Sequence, residues 1–332
     1  MANTSAFVAS ELPPSQPVVI STKPIDSTST RSSPLRAQET YDGGYKGDHP
    51  VRLRLGNGGA GQAGLIGAFA NAFIQWRVEI CHDQAFKVEW YLGDTTQSLS
   101  YLSLGYIDVA FTYNQAAELS EVKSGVASRR DLIFTDHFYL VGPPANPADL
   151  NENDSVSDMF NKIVGTGNRD AIVPPPADRP PTRFLSRFDK SATNIKESEM
   201  FIKIGQVPWA LAYSSWYHQY PRFPLQALAA ASQLAEYTLT DRGTWLSSPS
   251  SVTAETSLRI YAKGSSEPTP EGSGESDAKS LLNPCNALLS SMPGDPLATT
   301  FMDWLLAPEG GQKVVRNFKK FDQVLYTPAV GA

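Results

Sequence analysis

The sequence predicts an α/β fold with largely parallel sheets. Strand-like apolar runs alternate with helix-like runs over most of the 332 residues, the order that crossover connections produce. The length suffices for a large core and for two domains. The composition, 41% hydrophobic and 19% charged, is that of an ordinary soluble folded chain.

Residues 1–50 are rich in Ser, Thr and Pro and lack apolar periodicity. They predict a disordered tail, with the fold starting near Val51. VRLRL at 51–55 reads as a strand, and residues 64–75 place Leu65, Ile66, Phe69, Ala72 and Phe73 at helical spacing. FKVEWYL at 86–92 and IDVAFTY at 107–113 read as strands, with a short helix between them from about Gln97. LIFTDHFYLVG at 132–142 reads as one long strand crossing between domains, and FLS at 184–186 and EYTLT at 236–240 as later short strands. The end is helical twice over, with Pro296 and Pro308 each suited to a first turn. KGSSEPTPEGSGESD at 263–277 reads as a flexible surface insert, and no internal repeat is visible.

Three segments could carry chemistry. In LGNGGAGQAG at 55–64 the pattern G-x-G-x-x-G occurs through Gly56, Gly58 and Gly61 and again through Gly59, Gly61 and Gly64. It stands between strand and helix, where a dinucleotide pyrophosphate would sit and an NAD-dependent oxidoreductase would follow. The supporting acidic residue is poorly placed, since Glu79 ends the helix, Glu89 lies inside the next strand and Asp94 comes late. A flexible strand-to-helix turn explains the pattern equally well. In SRFDKSAT at 186–193, Arg187 follows a strand, and Ser191 and Thr193 stand where a helix starts. That combination makes an oxyanion site, or a plain N-cap beside a surface arginine. In YTLTDRGTWL at 237–246, Asp241, Arg242 and Thr244 could line a cleft, or Asp241 could simply cap a helix.

Several classes are disfavoured. The net charge of -6 and a pI near 5.3 argue against a nucleic-acid partner. No metal site is expected, because Cys81 and Cys285 are far apart and His49, His82, His137 and His218 show no ligand spacing. The two cysteines read as buried thiols, although pairing stays open. His137 reads as a hydrogen-bonded core residue. No Ser/His/Asp arrangement or nucleophile elbow is visible. No apolar run reaches the length of a membrane span, and the first twenty residues lack a visible secretory signal.

The order of these motifs resembles the tungstate-binding, substrate-binding proteins of ABC transporters, within the class II periplasmic-binding-protein superfamily. The matching features run from about 51 to 328. They are the strand and loop at 53–66, DTTQSL at 94–99, IDVAFTYNQAAE at 107–118, SRRDLIFTDHFYLVGPPANPADL at 128–150, SRFDKSATNIKE at 186–197, SWY at 215–217, YTLTDRGTWL at 237–246 and FMDWLLAPEGGQ at 301–312. The resemblance implies two α/β lobes joined by two hinge strands with an interlobe cleft. One lobe would comprise 51–139 and 257–328, the other 140–256. It also implies a small anionic ligand, no cofactor, no catalysis and a monomer. Arg187 matches the family's arginine. Ser191 and Thr193 match hydroxyls at the following helix start, and Thr95 a threonine of the first lobe. Asp241, Arg242 and Thr244 match the TDRGT segment.

This chain departs from the pattern at the cleft. Asn57, Gly58, Gly59 and Ala60 replace a hydroxyl-rich loop, so backbone N–H groups would have to serve there. Phe188 and Ala192 replace glycines, and Lys190 replaces an acidic residue. YPRFP at 220–224 replaces a glycine-rich stretch and adds Arg222. The resemblance implies a tungstate- or molybdate-like oxyanion, whereas these changes would make the cleft bulkier, more cationic and less hydroxyl-lined and point to a larger anion such as a carboxylate or phosphorylated metabolite. A metabolic enzyme on the same fold, using Tyr113, Asn114, Lys190 or Asp241, is the alternative, as is a cleft that has lost its ligand. The Ser/Thr/Pro-rich start without an export signal points to a cytoplasmic, eukaryotic relative and leaves a membrane transporter partner in question. A misassigned or processed N-terminus would make the protein secreted.

Overall fold

A computed structural model describes residues 35–210, 214–265 and 278–329. In chain order they form β1 (Glu39–Tyr41), β2 (Val51–Asn57), α1 (Gly59–Gln62), α2 (Leu65–Glu79), β3 (Lys87–Leu92), α3 (Thr95–Ser103), β4 (Val109–Thr112), α4 (Gln115–Lys123) and β5 (Ala127–Gly142). Next come α5 (Val156–Ile172), β6 (Phe184–Ser186), α6 (Ala192–Lys203), β7 (Tyr217–Gln219), α7 (Pro224–Leu234), β8 (Thr238–Asp241), α8 (Arg242–Ser247), α9 (Ser250–Thr253) and β9 (Arg259–Lys263). The chain closes with β10 (Leu282–Ser290), α10 (Leu297–Leu306), α11 (Gly311–Asn317), β11 (Lys319–Lys320), β12 (Gln323–Val324) and β13 (Thr327–Pro328).

The fold is α/β and two-lobed, but the main sheet is mixed. Its order is β1-β3-β2-β4-β10-β5-β13, with β8 and β9 also on β5. β2 runs parallel to β3 and β4, because α2 and α3 carry the chain back between them. β10 runs antiparallel to both β4 and β5. The expectation of largely parallel sheets therefore fails at the strands that return from the second lobe.

β5 has 16 residues. Its first part, up to His137, pairs with β10. From Phe138 on it pairs with β8 and β9. This is the crossing strand expected from the sequence, starting five residues earlier. Its two ends enter two hydrophobic cores. One packs Phe69, Phe73, Phe111, Phe301 and Trp304 around β2–β4 and β10. The other packs Phe138, Phe160, Phe184, Phe201 and Tyr237. Tyr261, Ala262 and Leu281 pack with the second core, so the return to the first lobe runs along β10 and not at 257.

Local chemistry sets the helix starts. Asp94 and Gln97 form a capping box, each side chain meeting the other's backbone N–H, so α3 begins at Thr95 and not near Gln97. Ser155 and Asp158 do the same for α5. Gly64 holds φ 98° ahead of α2, a left-handed conformation that glycine adopts without penalty. Pro296 is the N-cap of α10, and α11 starts at Gly311, beyond Pro308. There Gly310 and Gly311 pack against Trp304 and Leu305 too closely for a Cβ.

The expected tail is shorter than 1–50. Glu39–Tyr41 pairs antiparallel with Val88–Trp90, and Tyr41 packs in the first core, because even three residues can add an edge strand when one side chain is buried. Residues 1–34, and most of the expected insert at 263–277, lie outside the described residues, while Lys263 ends β9. Cys285 is buried, Cys81 is half-buried, and both are free thiols. No helix among the described residues is long and apolar enough to cross a membrane.

Candidate functional site

A cavity of about 420 Å³ gathers residues of both cores. Seven of the eleven residues singled out for a ligand line it: Gly58, Gly59, Thr95, Arg187, Ser191, Thr193 and Asp241. Asn57, Arg222, Arg242 and Thr244 do not line it.

The glycine turn reaches the cavity from β2. Asn57 is fully buried and is committed to holding the turn. Its Nδ2 donates to the Phe111 carbonyl (2.9 Å), and its Oδ1 accepts from the Gly61 N–H (2.7 Å). Packing explains most of the glycines. A Cβ at Gly56 would overlap Ile107, and one at Gly61 would overlap the Trp90 indole. At Gly58 it would stand 3.0 Å from the Gly93 carbonyl oxygen. Gly59 has open space beside it and faces the cavity. The dinucleotide reading therefore loses its basis.

The segment 186–193 reaches the cavity from the other core. β6 ends at Ser186, and a loop with Phe188 at φ 44° and Lys190 at φ 61° leads into α6. Positive φ at two non-glycine residues is rare and strained. Ser191 caps α6 by accepting from the Asn194 N–H (3.3 Å), and Thr193 is buried. Arg187 is 9% exposed. Its Nη2 donates to Asp189, and its Nε donates to the Arg222 carbonyl (3.2 Å). The Asp189 Oδ1 in turn accepts from the Ser191 N–H (3.0 Å). Below the loop, Glu197 is fully buried and accepts from Ser186 Oγ and from Asn194 Nδ2 (2.7 Å). Burial outweighs these hydrogen bonds and pushes its carboxyl up to about 8.

The bland reading describes most of the third segment. Asp241 caps α8, accepting from the Thr244 N–H (2.8 Å) and from its hydroxyl. Thr244 is consumed as that donor. The Arg242 Nε is buried without a partner among the described residues. Arg222 is exposed, with its guanidinium on the Pro221 carbonyl (2.9 Å) and over the Tyr220 ring. It serves the site through its backbone, which holds Arg187.

The cavity floor was not foreseen. Asp136 of β5 stands opposite Asn283 of β10 in the ladder, and both line the cavity with Tyr113 and Tyr326. Asp136 accepts from the His137 N–H (2.7 Å). Burial, and then the charge of Asp241, push its carboxyl well above the usual carboxylate range. Burial likewise raises the Tyr113 and Tyr326 phenols, so both stay neutral O–H donors. Asn283 is 3% exposed, and its Nδ2 has no partner among the described residues. No sequence signal marked these positions except Tyr113, which was noted only for an enzyme reading. Across β5, His137 is the satisfied core histidine expected, with Nδ1 at the Gly264 carbonyl (3.0 Å) and Nε2 at the Thr327 hydroxyl (2.9 Å).

The cavity thus has the Arg187–Asp189 pair on one wall, backbone and hydroxyl groups on another, and a polar floor between aromatic side chains, with Asp94 and Asp241 also among its lining. Among the described residues no cluster of three or more His, Cys, Asp or Glu could hold a metal ion.

Known proteins share this arrangement of chain. The "Putative ABC transporter anion-binding protein" of Haloferax volcanii is 28% identical over 230 residues, 68% of this chain and 58% of that protein. The tungstate-binding protein TupA of Peptoclostridium acidaminophilum is 29% identical over 170 residues, 51% of this chain and 54% of that protein. The chain therefore spans just over half the length of these relatives. A solved structure described as "a periplasmic putative metal binding protein" is 45% identical with a TM-score of 0.78, over 89% of this chain and 100% of that one. The structure of TupA from Desulfovibrio alaskensis is 23% identical with a TM-score of 0.65, over 85% of this chain and 100% of that one, a likeness of fold. A model described as a PBP superfamily domain matches residues 34–309, and the chain belongs to that family.

Proposed function

We propose that the protein binds a small anion in the cavity without transforming it, as the receptor component of an anion transport system. The observation that supports this most is the meeting of Gly58, Gly59 and Thr95 with Arg187, Ser191 and Thr193 around one 420 Å³ space. An anion there would share the Arg187 guanidinium with Asp189 and meet hydroxyl and backbone donors from the opposite wall. The two lobes, joined by β5 and β10, would close on it. The similarity to anion- and tungstate-binding proteins of ABC transporters supports the ligand class.

The space is larger than a four-oxygen oxyanion needs, and Leu92, Phe111, Phe138 and Phe223 give it apolar walls. That favours an organic or phosphorylated anion over tungstate. The enzyme alternative is weakened at Asp241, whose carboxylate is engaged by Thr244, and at Lys190, which is exposed.

Calorimetry with a panel of oxyanions and small carboxylates tests the reading. A ligand is expected whose affinity falls sharply in Arg187→Ala. Absence of binding across the panel would refute it.

A further inference from the structure

The loop between β6 and α6 holds Arg187 at the cavity in a conformation that the chain resists. Phe188 and Lys190 both stand at positive φ, which persists only where the surroundings hold it. Three backbone N–H groups show what does the holding. The Phe188 N–H donates to Ser186 Oγ (3.1 Å), the Lys190 N–H to Asn194 Oδ1 (3.1 Å) and the Ser191 N–H to Asp189 Oδ1 (3.0 Å). The first two holders share one anchor, since Ser186 Oγ and Asn194 Nδ2 (2.7 Å) both donate to Glu197 Oε1. Glu197 is fully buried in α6 and is not among the residues lining the cavity.

We propose that Glu197 is the positioning residue of the anion site, fixing through Ser186 and Asn194 the strained loop that presents Arg187 and Ser191 to the cavity. The inference rests on the anion-binding reading above and deepens it by tying the ligand's affinity to a group that the ligand does not touch.

The arrangement works with an uncharged carboxyl. Oε1 takes both hydrogen bonds, and Oε2 is buried without a partner among the described residues. A proton there avoids burying a bare charge. The charged and titratable groups facing Glu197 among the described residues are Asp189 and Arg187 on the loop and the Tyr217 phenol on β7. Tyr217 is itself raised by burial and stays neutral. Arg187 already faces Asp189. With Glu197 neutral, one cation and one carboxylate stand at this wall. An ionised Glu197 would set two carboxylates against one cation and repel a bound anion. Its carboxyl lies at about 8, so affinity is full below that pH and falls as pH rises through it.

Calorimetry of the full chain with sulfate, tungstate and benzoate, probes that stay ionised from pH 7 to 9, tests this. The tightest of them should bind about tenfold more weakly at pH 9 than at pH 7, because about one molecule in ten keeps the Glu197 proton there. Glu197→Ala should lose about tenfold or more at pH 7, as removal of an outer support does. Glu197→Gln has the acid's shape and no proton to lose, so it should restore the affinity and level the pH profile. Asn194→Ala cuts one link with Glu197 in place and should weaken binding several-fold, which tests the inference even if melting curves show that a Glu197 variant fails to fold. A level profile in the wild type, a slope that persists in Glu197→Gln, or unchanged affinity in Glu197→Ala or Asn194→Ala would overturn the inference while leaving anion binding intact. No binding of any probe at pH 7 would overturn both.

Discussion

Two turns enter the cavity, and they are built in opposite ways. The turn after β2 has no hydroxyl or charged side chain facing the cavity, and its glycines are set by the Trp90 ring, the Ile107 side chain and the Gly93 carbonyl. The turn after β6 is dense with side chains and holds two residues at positive φ. Its Arg187–Asp189 pair and its Ser191 cap are wired to each other. The difference separates packing from recognition. A glycine-rich motif can exist because a tryptophan needs room, while the guanidinium and the cap hydroxyl stand on the opposite wall.

The largest expected effect breaks the second turn. Arg187→Ala leaves the half-buried Asp189 beside the cavity without its cation, and anion affinity should fall by about 2–5 kcal/mol in calorimetry. The melting temperature should fall as well, because the Asp189 charge loses its partner. Breaking the first turn should leave a different signature. Gly61→Val would force a branched side chain into Trp90 and should cost about 1–3 kcal/mol in denaturant melts. An affinity loss exceeding the stability loss would mean that the glycine turn also recognises the ligand.

A subtler contrast concerns pH. The folded Glu197 carboxyl lies near 8 rather than at its ordinary value, so the folded state holds a proton that the unfolded chain releases. Its contribution to stability is complete below about pH 4.5 and is lost as pH rises through about 8. Urea melts from about pH 5 to 8.5 should show falling stability, and Glu197→Gln should flatten that slope. Asp136 shifts in the same direction, so a slope that survives in Glu197→Gln but vanishes in Asp136→Asn would move the effect from loop to floor. The smallest effect is expected at Gly59, where a Cβ meets nothing within 4 Å. Gly59→Ser should change stability by less than about 0.5 kcal/mol. It adds a hydroxyl to the bare wall, so a rise in anion affinity is the sensitive readout.

Elements with their own periodicity or caps were legible. β2, β3, β4, β6, β8, α2 and α6 stand close to where the apolar pattern puts them. β10 was not legible, and Pro284 is the reason. A proline inside a run argues against a central strand, yet β10 lies between β4 and β5, accommodating the irregularity with a register shift at Cys285/Asn286. The same gap hid the cavity floor. Once β10 is missed, Asn283 has no position, and Asp136 is an unremarkable acidic residue in a long strand. Arg187, Ser191 and Thr193 were legible because a helix start gathers them within seven residues. Asp241, Arg242 and Thr244 form an equally compact segment, but there the hydrogen bonds close on themselves.

By itself the sequence determined the α/β class, the crossing strand and the wall that starts α6. Those features arise from local causes: alternation, apolar runs, and capping residues a few positions apart. Only the tertiary structure decided that the glycine motif is a packing device, that Arg222 serves through its backbone, and that Asp136 faces Asn283. These depend on which surfaces meet and on strand register between residues 147 apart in sequence. Register is set by the burial of whole strand faces, a property that no single segment carries.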